Sequence, residues 1–79
     1  MKTLNIEYFA ILREQAGMSG EQRSSAAATA AELFEELREA YGFGDSGNFK
    51  VAINEEFAAW DDTLNDGDRV VFIPPVAGG

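Results

Sequence analysis

The segment Thr29–Gly42 reads TAAELFEELREAYG, and it constrains the architecture more than any other part of the chain. Thr29 and Glu32 have the spacing of a capping box, in which a hydroxyl and a carboxylate each satisfy a backbone N–H at the start of a helix. Apolar residues then recur every three or four positions and form one stripe. The stripe comprises Leu33, Leu37 and Tyr41, flanked by Ala30, Phe34 and Ala40. Because glycine readily adopts the left-handed conformation, Gly42 predicts the end of a helix of about three turns that packs on a sheet.

The segments on both sides of this helix have the pattern of β-strands. Apolar and polar residues alternate in 3–9, a short helix is predicted over 10–16, and 20–28 is predicted to form a polar hairpin partner of the first strand. The remaining predicted strands are 49–53, a short one that carries Phe57, and 69–73. This order predicts an α+β domain with a mixed sheet and one main helix packed on one face. The arrangement resembles the β-grasp, or ubiquitin-like, fold.

The composition limits the chemistry that the chain can perform by itself. Its 79 residues predict a single domain, 1–79, with a net charge of −8. Because the sequence has no cysteine and no histidine, we exclude disulfides, a cysteine-based zinc site and a catalytic thiol, and the commonest general base and metal ligand are missing. Six scattered basic residues argue against a nucleic-acid partner. Without a membrane-spanning segment or a secretory signal pattern, we expect a cytoplasmic protein with no membrane partner and no metal.

The last residues of the sequence carry its most distinctive chemistry. Residues 74–79 read PPVAGG and are predicted to form a projecting tail, because Pro74 and Pro75 cannot continue a sheet ladder and favour an extended backbone. Gly78 and Gly79 have no side chains, so the terminal carboxylate can enter a narrow channel. That carboxylate is ionised at neutral pH and can act as a nucleophile toward the α-phosphate of ATP.

Four motifs together carry a resemblance to a known family. They are YFAILREQAG at 8–17, TAAELFEELREAYG at 29–42, NDGDRVVF at 65–72 and FIPPVAGG at 72–79. In order and spacing the chain resembles the small, sulfur-carrier subunits of molybdopterin synthase, which belong to the ubiquitin-like sulfur carriers. A Gly-Gly end is shared by all ubiquitin-like modifiers and sulfur carriers, whereas the longer Pro-Pro-Val-Ala-Gly-Gly ending is more specific to the molybdopterin type.

The resemblance implies a cycle of reactions at Gly79. An adenylating enzyme similar to ubiquitin-activating enzymes would consume ATP to form a transient C-terminal adenylate, and no cofactor would be bound permanently. A sulfurtransferase or persulfide donor would convert the adenylate to a thiocarboxylate. The tail would then donate sulfur to a cyclic pyranopterin precursor in the large synthase subunit, so the chain is not catalytic alone. Two alternatives stay open: a sulfur carrier for thiamine, cysteine or tRNA thiolation, and a protein-conjugating ubiquitin-like modifier.

Strand alternation also predicts where partners bind. Phe9, Phe57 and Ile73 are expected on the face of the sheet that the helix does not cover, together with Val71, and exposed apolar residues there indicate a binding patch. The resemblance implies that the tail residues Pro74, Pro75, Val76 and Ala77 contact the same partners. The net charge of −8 suggests that these partners have basic docking surfaces.

The other charged residues are predicted to have structural or solvent-exposed roles. Adjacent carboxylates at 55–56 and 61–62 point to opposite sides of an extended chain, so they do not form a metal site. Asp66 and Asp68 flank the turn residue Gly67 but lack the spacing of a calcium loop. Arg69 is expected either to attract an acidic partner or to pair with a nearby carboxylate.

Overall fold

The computed structural model describes residues 1–44 and 47–75. Five strands and two helices follow one another along the chain: β1 (Lys2–Tyr8), α1 (Ile11–Ala16), β2 (Gly20–Ser25), α2 (Ala30–Tyr41), β3 (Lys50–Ile53), β4 (Glu56–Ala58) and β5 (Arg69–Ile73). The strands form one sheet in the order β2-β1-β5-β3-β4. β1 and β5 pair in parallel and the other neighbours are antiparallel. This mixed sheet with one main helix confirms the predicted β-grasp arrangement.

The core lies between α2 and one face of the sheet. Alternate residues of the two central strands point into it, including Ile6 and Tyr8 from β1 and Val70 and Phe72 from β5, all at most 2% exposed. The helix contributes Leu33, Phe34 and Leu37. Trp60 stacks on the Phe72 ring with centroids 5.8 Å apart, so the loop between β4 and β5 closes one end of the core.

Both ends of α2 follow the predicted cap chemistry. The Thr29 hydroxyl accepts a hydrogen bond from the Glu32 backbone N–H at 3.3 Å, and the Glu32 carboxylate accepts one from the Ala28 N–H at 3.2 Å. Gly42 ends the helix with a φ of 76°. The carboxylate thus reaches one residue further back than in a standard capping box. Ala40, predicted to flank the apolar stripe, is exposed, because it lies on the side of α2 away from the sheet.

Several element boundaries differ from the prediction. β1 ends at Tyr8 and α1 begins at Ile11, because the backbone turns at Ala10, where φ is 51° and ψ is −123°. β2 ends at Ser25 rather than at residue 28, and β3 begins at Lys50, with Phe49 half-buried just before it. Within the described parts of the chain, no helix is long and apolar enough to cross a bilayer.

Candidate functional site

The predicted tail begins at the end of the middle strand of the sheet. β5 has β1 on one side and β3 on the other, and its last residue, Ile73, is paired with Lys50. Ile73 and Pro74 are half-buried and Pro75 is exposed, so the chain comes to the surface at this point. The remaining tail residues of the prediction, Val76, Ala77, Gly78 and Gly79, lie outside the described residues. The tail is therefore attached to a strand that is hydrogen-bonded to a neighbouring strand on each side.

The face of the sheet opposite α2, which we call the open face, carries exposed apolar side chains. Phe57 is 75% exposed and Phe9 is 46% exposed, while Val71 and Ile73 are partly exposed. We call these four residues the apolar patch. Strand register explains their proximity: Tyr8 pairs with Phe72, so Phe9 follows beside Ile73, and Ala52 pairs with both Val71 and Phe57. The structure confirms the predicted face for Phe57, Val71 and Ile73, whereas Phe9 is exposed just beyond the end of β1, where the chain turns. The role of the patch in docking stays a prediction.

One exposed apolar residue close to Phe9 was not predicted from the sequence. Ile11 is 47% exposed at the start of α1, two residues after Phe9. Between them, Ala10 has the positive φ of the second residue of a type II′ turn, and the Leu12 N–H closes the turn on the Phe9 carbonyl at 3.0 Å. An alanine in this conformation is strained, since the position normally takes glycine. Because alanine gives no turn signal, only the structure reveals this feature.

Three charged residues at the open face form ion pairs with one another. Arg69 contacts the Glu7 carboxylate and lies 3.9 Å from that of Glu55. These side chains are all more than a third exposed, so the pairs add little to stability. Of the two roles predicted for Arg69, pairing with nearby carboxylates is the one that the structure shows.

The aspartates around Gly67 hold the turn that precedes β5. Asp66 accepts a hydrogen bond from the Thr3 N–H at 2.7 Å, which fixes the turn to the first strand. Asp68 is 9% exposed and accepts from the Asn65 N–H at 2.8 Å and from the Asn54 side chain at 2.9 Å. Among the described residues, no group of three potential metal ligands comes together. Their hydrogen bonds give Asp66 and Asp68 a structural role in this turn.

A polar cluster on the covered face joins β2 to α2. The Tyr8 and Tyr41 hydroxyls both donate to Glu21, each at 2.5 Å, while Arg23 Nε donates to Glu36 at 2.5 Å. Burial and the hydrogen bond to Glu21 raise the pKa of the Tyr8 hydroxyl far above its ordinary value. Each group in the cluster thus has a partner within the protein, so we assign the cluster a structural role.

The pKa of Glu36 is lowered by its partners in this cluster. Burial alone would raise it, but hydrogen bonds from Arg23 and from the Ser25 hydroxyl, the latter at 2.7 Å, outweigh burial. The charged form of Glu36 is therefore the form that the fold stabilises.

Comparison with known proteins places the chain in a family. The sheet order, the single long helix and the central C-terminal strand define a ubiquitin-like β-grasp protein, a class that also includes Urm1 from Trypanosoma brucei, with a TM-score of 0.73. The model of the ThiS family matches residues 6–79, and the chain belongs to this family. It is a homologue of the molybdopterin synthase sulfur carrier subunit of Haemophilus influenzae, with 34% identity over 96% of this chain and 99% of that protein.

Solved structures of similar proteins include subunits of molybdopterin-converting factors and a small archaeal modifier protein. A Pyrococcus furiosus protein described as molybdopterin converting factor subunit 1 has 30% identity and a TM-score of 0.78 over 96% of this chain and 100% of its own. Haloferax volcanii SAMP1, whose abbreviation stands for small archaeal modifier protein 1, also has 30% identity, with a TM-score of 0.76 over 98% and 99%. A complex of subunits 1 and 2 of the Helicobacter pylori molybdopterin-converting factor matches in fold, at 24% identity and a TM-score of 0.68 over 98% and 99%.

Proposed function

We propose that this chain is the sulfur carrier of molybdenum cofactor biosynthesis and that Gly79 is its reactive residue. The observation that carries the proposal is the match over nearly the whole chain to a molybdopterin synthase sulfur carrier subunit. The sequence end Val76-Ala77-Gly78-Gly79 and the attachment of the tail to the central strand β5 support it.

The proposed chemistry takes place at the terminal carboxylate. Adenylation by an activating enzyme, at the expense of ATP, gives the Gly79 carboxyl carbon a good leaving group. The outer sulfur of a persulfide on the sulfurtransferase or persulfide donor then displaces AMP, and a second thiol of the donor cleaves the resulting acyl disulfide, which leaves a thiocarboxylate on Gly79 and a disulfide on the donor. In the large synthase subunit, the thiocarboxylate sulfur bonds to the cyclic pyranopterin precursor, and water then cleaves its bond to the Gly79 carbonyl and returns the carboxylate. Two such transfers supply the two dithiolene sulfurs of molybdopterin. The carrier needs no thiol of its own for these steps, which is consistent with a sequence that has no cysteine.

The apolar patch gives the carrier a surface on which its partners dock. Phe9 and Ile73 lie where the tail leaves the sheet, so a partner that contacts them is also placed to receive the tail. We propose the large synthase subunit and the activating enzyme as these partners. The H. pylori complex of the two converting-factor subunits supports the first of them.

Mass spectrometry tests the proposed modification directly. The chain is produced together with its activating enzyme and a sulfur source, and the expected product has one oxygen of Gly79 replaced by sulfur. One alanine appended after Gly79 should abolish the exchange, whereas one alanine added before Met1, which is 86% exposed, should leave it intact. Exchange that persists in the C-terminally extended chain would contradict the terminal-carboxylate mechanism.

A protein-conjugating modifier is the second candidate function. The observation in its favour is the 30% identity to SAMP1 of H. volcanii over nearly the full length of both chains. The same mass-spectrometric experiment separates the two functions. A thiocarboxylate without isopeptide-linked species identifies a sulfur carrier, while tryptic peptides with Gly79 attached to lysine identify a modifier.

Binding to the large synthase subunit separates molybdopterin synthesis from other sulfur pathways. We expect the unmodified chain to bind this subunit and the Phe9→Ser variant to bind it more weakly with an unchanged melting temperature, since Phe9 is exposed. No binding of the wild-type chain would favour thiamine, cysteine or tRNA thiolation instead.

A further inference from the structure

The basic residues of this acidic chain lie in different places from many of its carboxylates, and some of them have no carboxylate nearby. The described part of α2 carries four glutamates, Glu32, Glu35, Glu36 and Glu39, on the side away from the open face. Of the basic residues, Arg23, Arg38 and Arg69 are paired with carboxylates within 4 Å. Arg13, Lys50 and Lys2 have no carboxylate within that distance among the described residues. Half of the six basic residues therefore have no carboxylate partner among the described residues.

Two of these three cations lie at the end of the sheet from which the tail departs. Lys50 is paired with Ile73, the last residue of β5. Arg13 lies on α1, which begins beside the end of β1, and Tyr8 at that end is paired with Phe72. Neighbouring strands are about 4.8 Å apart, so Ile73 and Lys50 lie side by side, and Phe9 comes directly after the last β1 residue that pairs with β5.

Each of the two cations lines a groove that also contains an exposed phenylalanine. The first groove has a volume of about 420 Å³ and includes Phe9, Arg13 and Glu7, whose carboxylate contacts Arg69 and not Arg13. The second has a volume of about 370 Å³ and includes Lys50, Phe57 and Trp60. The base of the tail lies between the two grooves. Both grooves thus combine an exposed phenylalanine with a cation that has no carboxylate within 4 Å among the described residues.

We propose that the partner that receives the tail carries carboxylate side chains opposite Arg13 and Lys50, on either side of its apolar contact with the patch. This inference rests on the proposed function for the existence of that partner. Its physical basis is charge complementarity: a partner carboxylate would neutralise each cation, whereas a basic partner surface would be repelled by both. The positions of these two cations thus predict carboxylates at the edge of the partner's binding surface, although the net charge of −8 suggests a basic surface.

Charge-reversal variants test the proposal, with the large synthase subunit of the same organism as the probe. Arg13→Glu and Lys50→Glu should each lower the association rate constant about tenfold at low salt, and the loss should shrink at high salt, as for rim charges elsewhere. Lys2→Glu is the matched control, because it makes the same change in charge at the opposite end of the sheet, where Lys2 pairs with Ser25. It should change the rate less than twofold. Melting temperatures confirm that all three variants are folded.

The possible results separate this inference from the proposed function. Rates for Arg13→Glu and Lys50→Glu that equal or exceed the wild-type rate would overturn the inference while leaving the carrier function intact. If the wild-type chain does not bind the large subunit, the molybdopterin assignment fails, and the same variants are then compared on the activating enzyme, where the same rate loss is expected. If the wild-type chain binds neither protein, both the docking surface and the inference are rejected.

Discussion

The two faces of the sheet differ in how far their side chains are buried and hydrogen-bonded within the protein. On the covered face, Val70 and Phe72 are fully buried, and the polar cluster around Glu21 and Glu36 closes the edge. On the open face, Phe57 is 75% exposed, and the backbone is strained beside Phe9. The difference separates the residues that hold the fold from those available for binding, although both sets contain large aromatic side chains.

The largest difference in stability is expected when one phenylalanine on each face is replaced by alanine. Phe72→Ala should lower the free energy of unfolding by about 3–5 kcal/mol, because it leaves a cavity in the core. That is a large part of the roughly 4–12 kcal/mol expected for a domain of this size. Phe57→Ala should change it by less than about 0.5 kcal/mol. Urea denaturation measures both, and similar losses would mean that Phe57 is part of the core.

A smaller effect on the unfolding free energy is expected when the pH is lowered, because Glu36 in the polar cluster of the covered face becomes protonated. Because the pKa of Glu36 is lowered in the folded state, its contribution is complete above its ordinary value of 4.5 and is lost as the pH falls below that value, through the folded pKa. In Glu36→Gln the unfolding free energy should therefore fall less steeply over this range than in the wild-type chain. Glu39→Gln, at an exposed position on the same helix, is the control and should keep the wild-type slope.

The smallest effect should come from relief of strain on the open face. Ala10→Gly should raise the unfolding free energy by about 1 kcal/mol, because glycine adopts the backbone angles of residue 10 without strain. This gain exceeds the extra conformational entropy that glycine loses on folding. The same substitution at Ala40, in the last turn of α2, should lower stability by up to about 1 kcal/mol. Thermal denaturation gives both signs, and a loss of stability in Ala10→Gly would show that the turn is unstrained.

Local chemistry explains which parts of the fold were predictable. Thr29, Glu32 and Gly42 delimit α2 through contacts within a few residues, so their pattern in the sequence is sufficient. β2 gave a weak signal for a tertiary reason. Its core-facing residues Glu21 and Arg23 are polar, and their partners Tyr41 and Glu36 come from the helix, so no apolar alternation marks the strand.

The candidate site was predictable to a similar extent. Alternation along β5 placed Ile73 on the open face correctly, because the buried positions of Val70 and Phe72 fix the orientation of the strand. The exposed position of Ile11 depends on the turn at Ala10, and the two grooves depend on how separate segments pack, so neither could be inferred from neighbouring residues.

The central position of β5 also has a mechanical consequence. A pull on the tail acts along the axis of a strand that is hydrogen-bonded on both sides, in parallel to β1 and antiparallel to β3. Such a load shears two ladders at once, so their hydrogen bonds share the force and do not open one after another. A load applied at the end of β5 is therefore resisted by the sheet as a whole, which would not be so if the last strand lay at an edge.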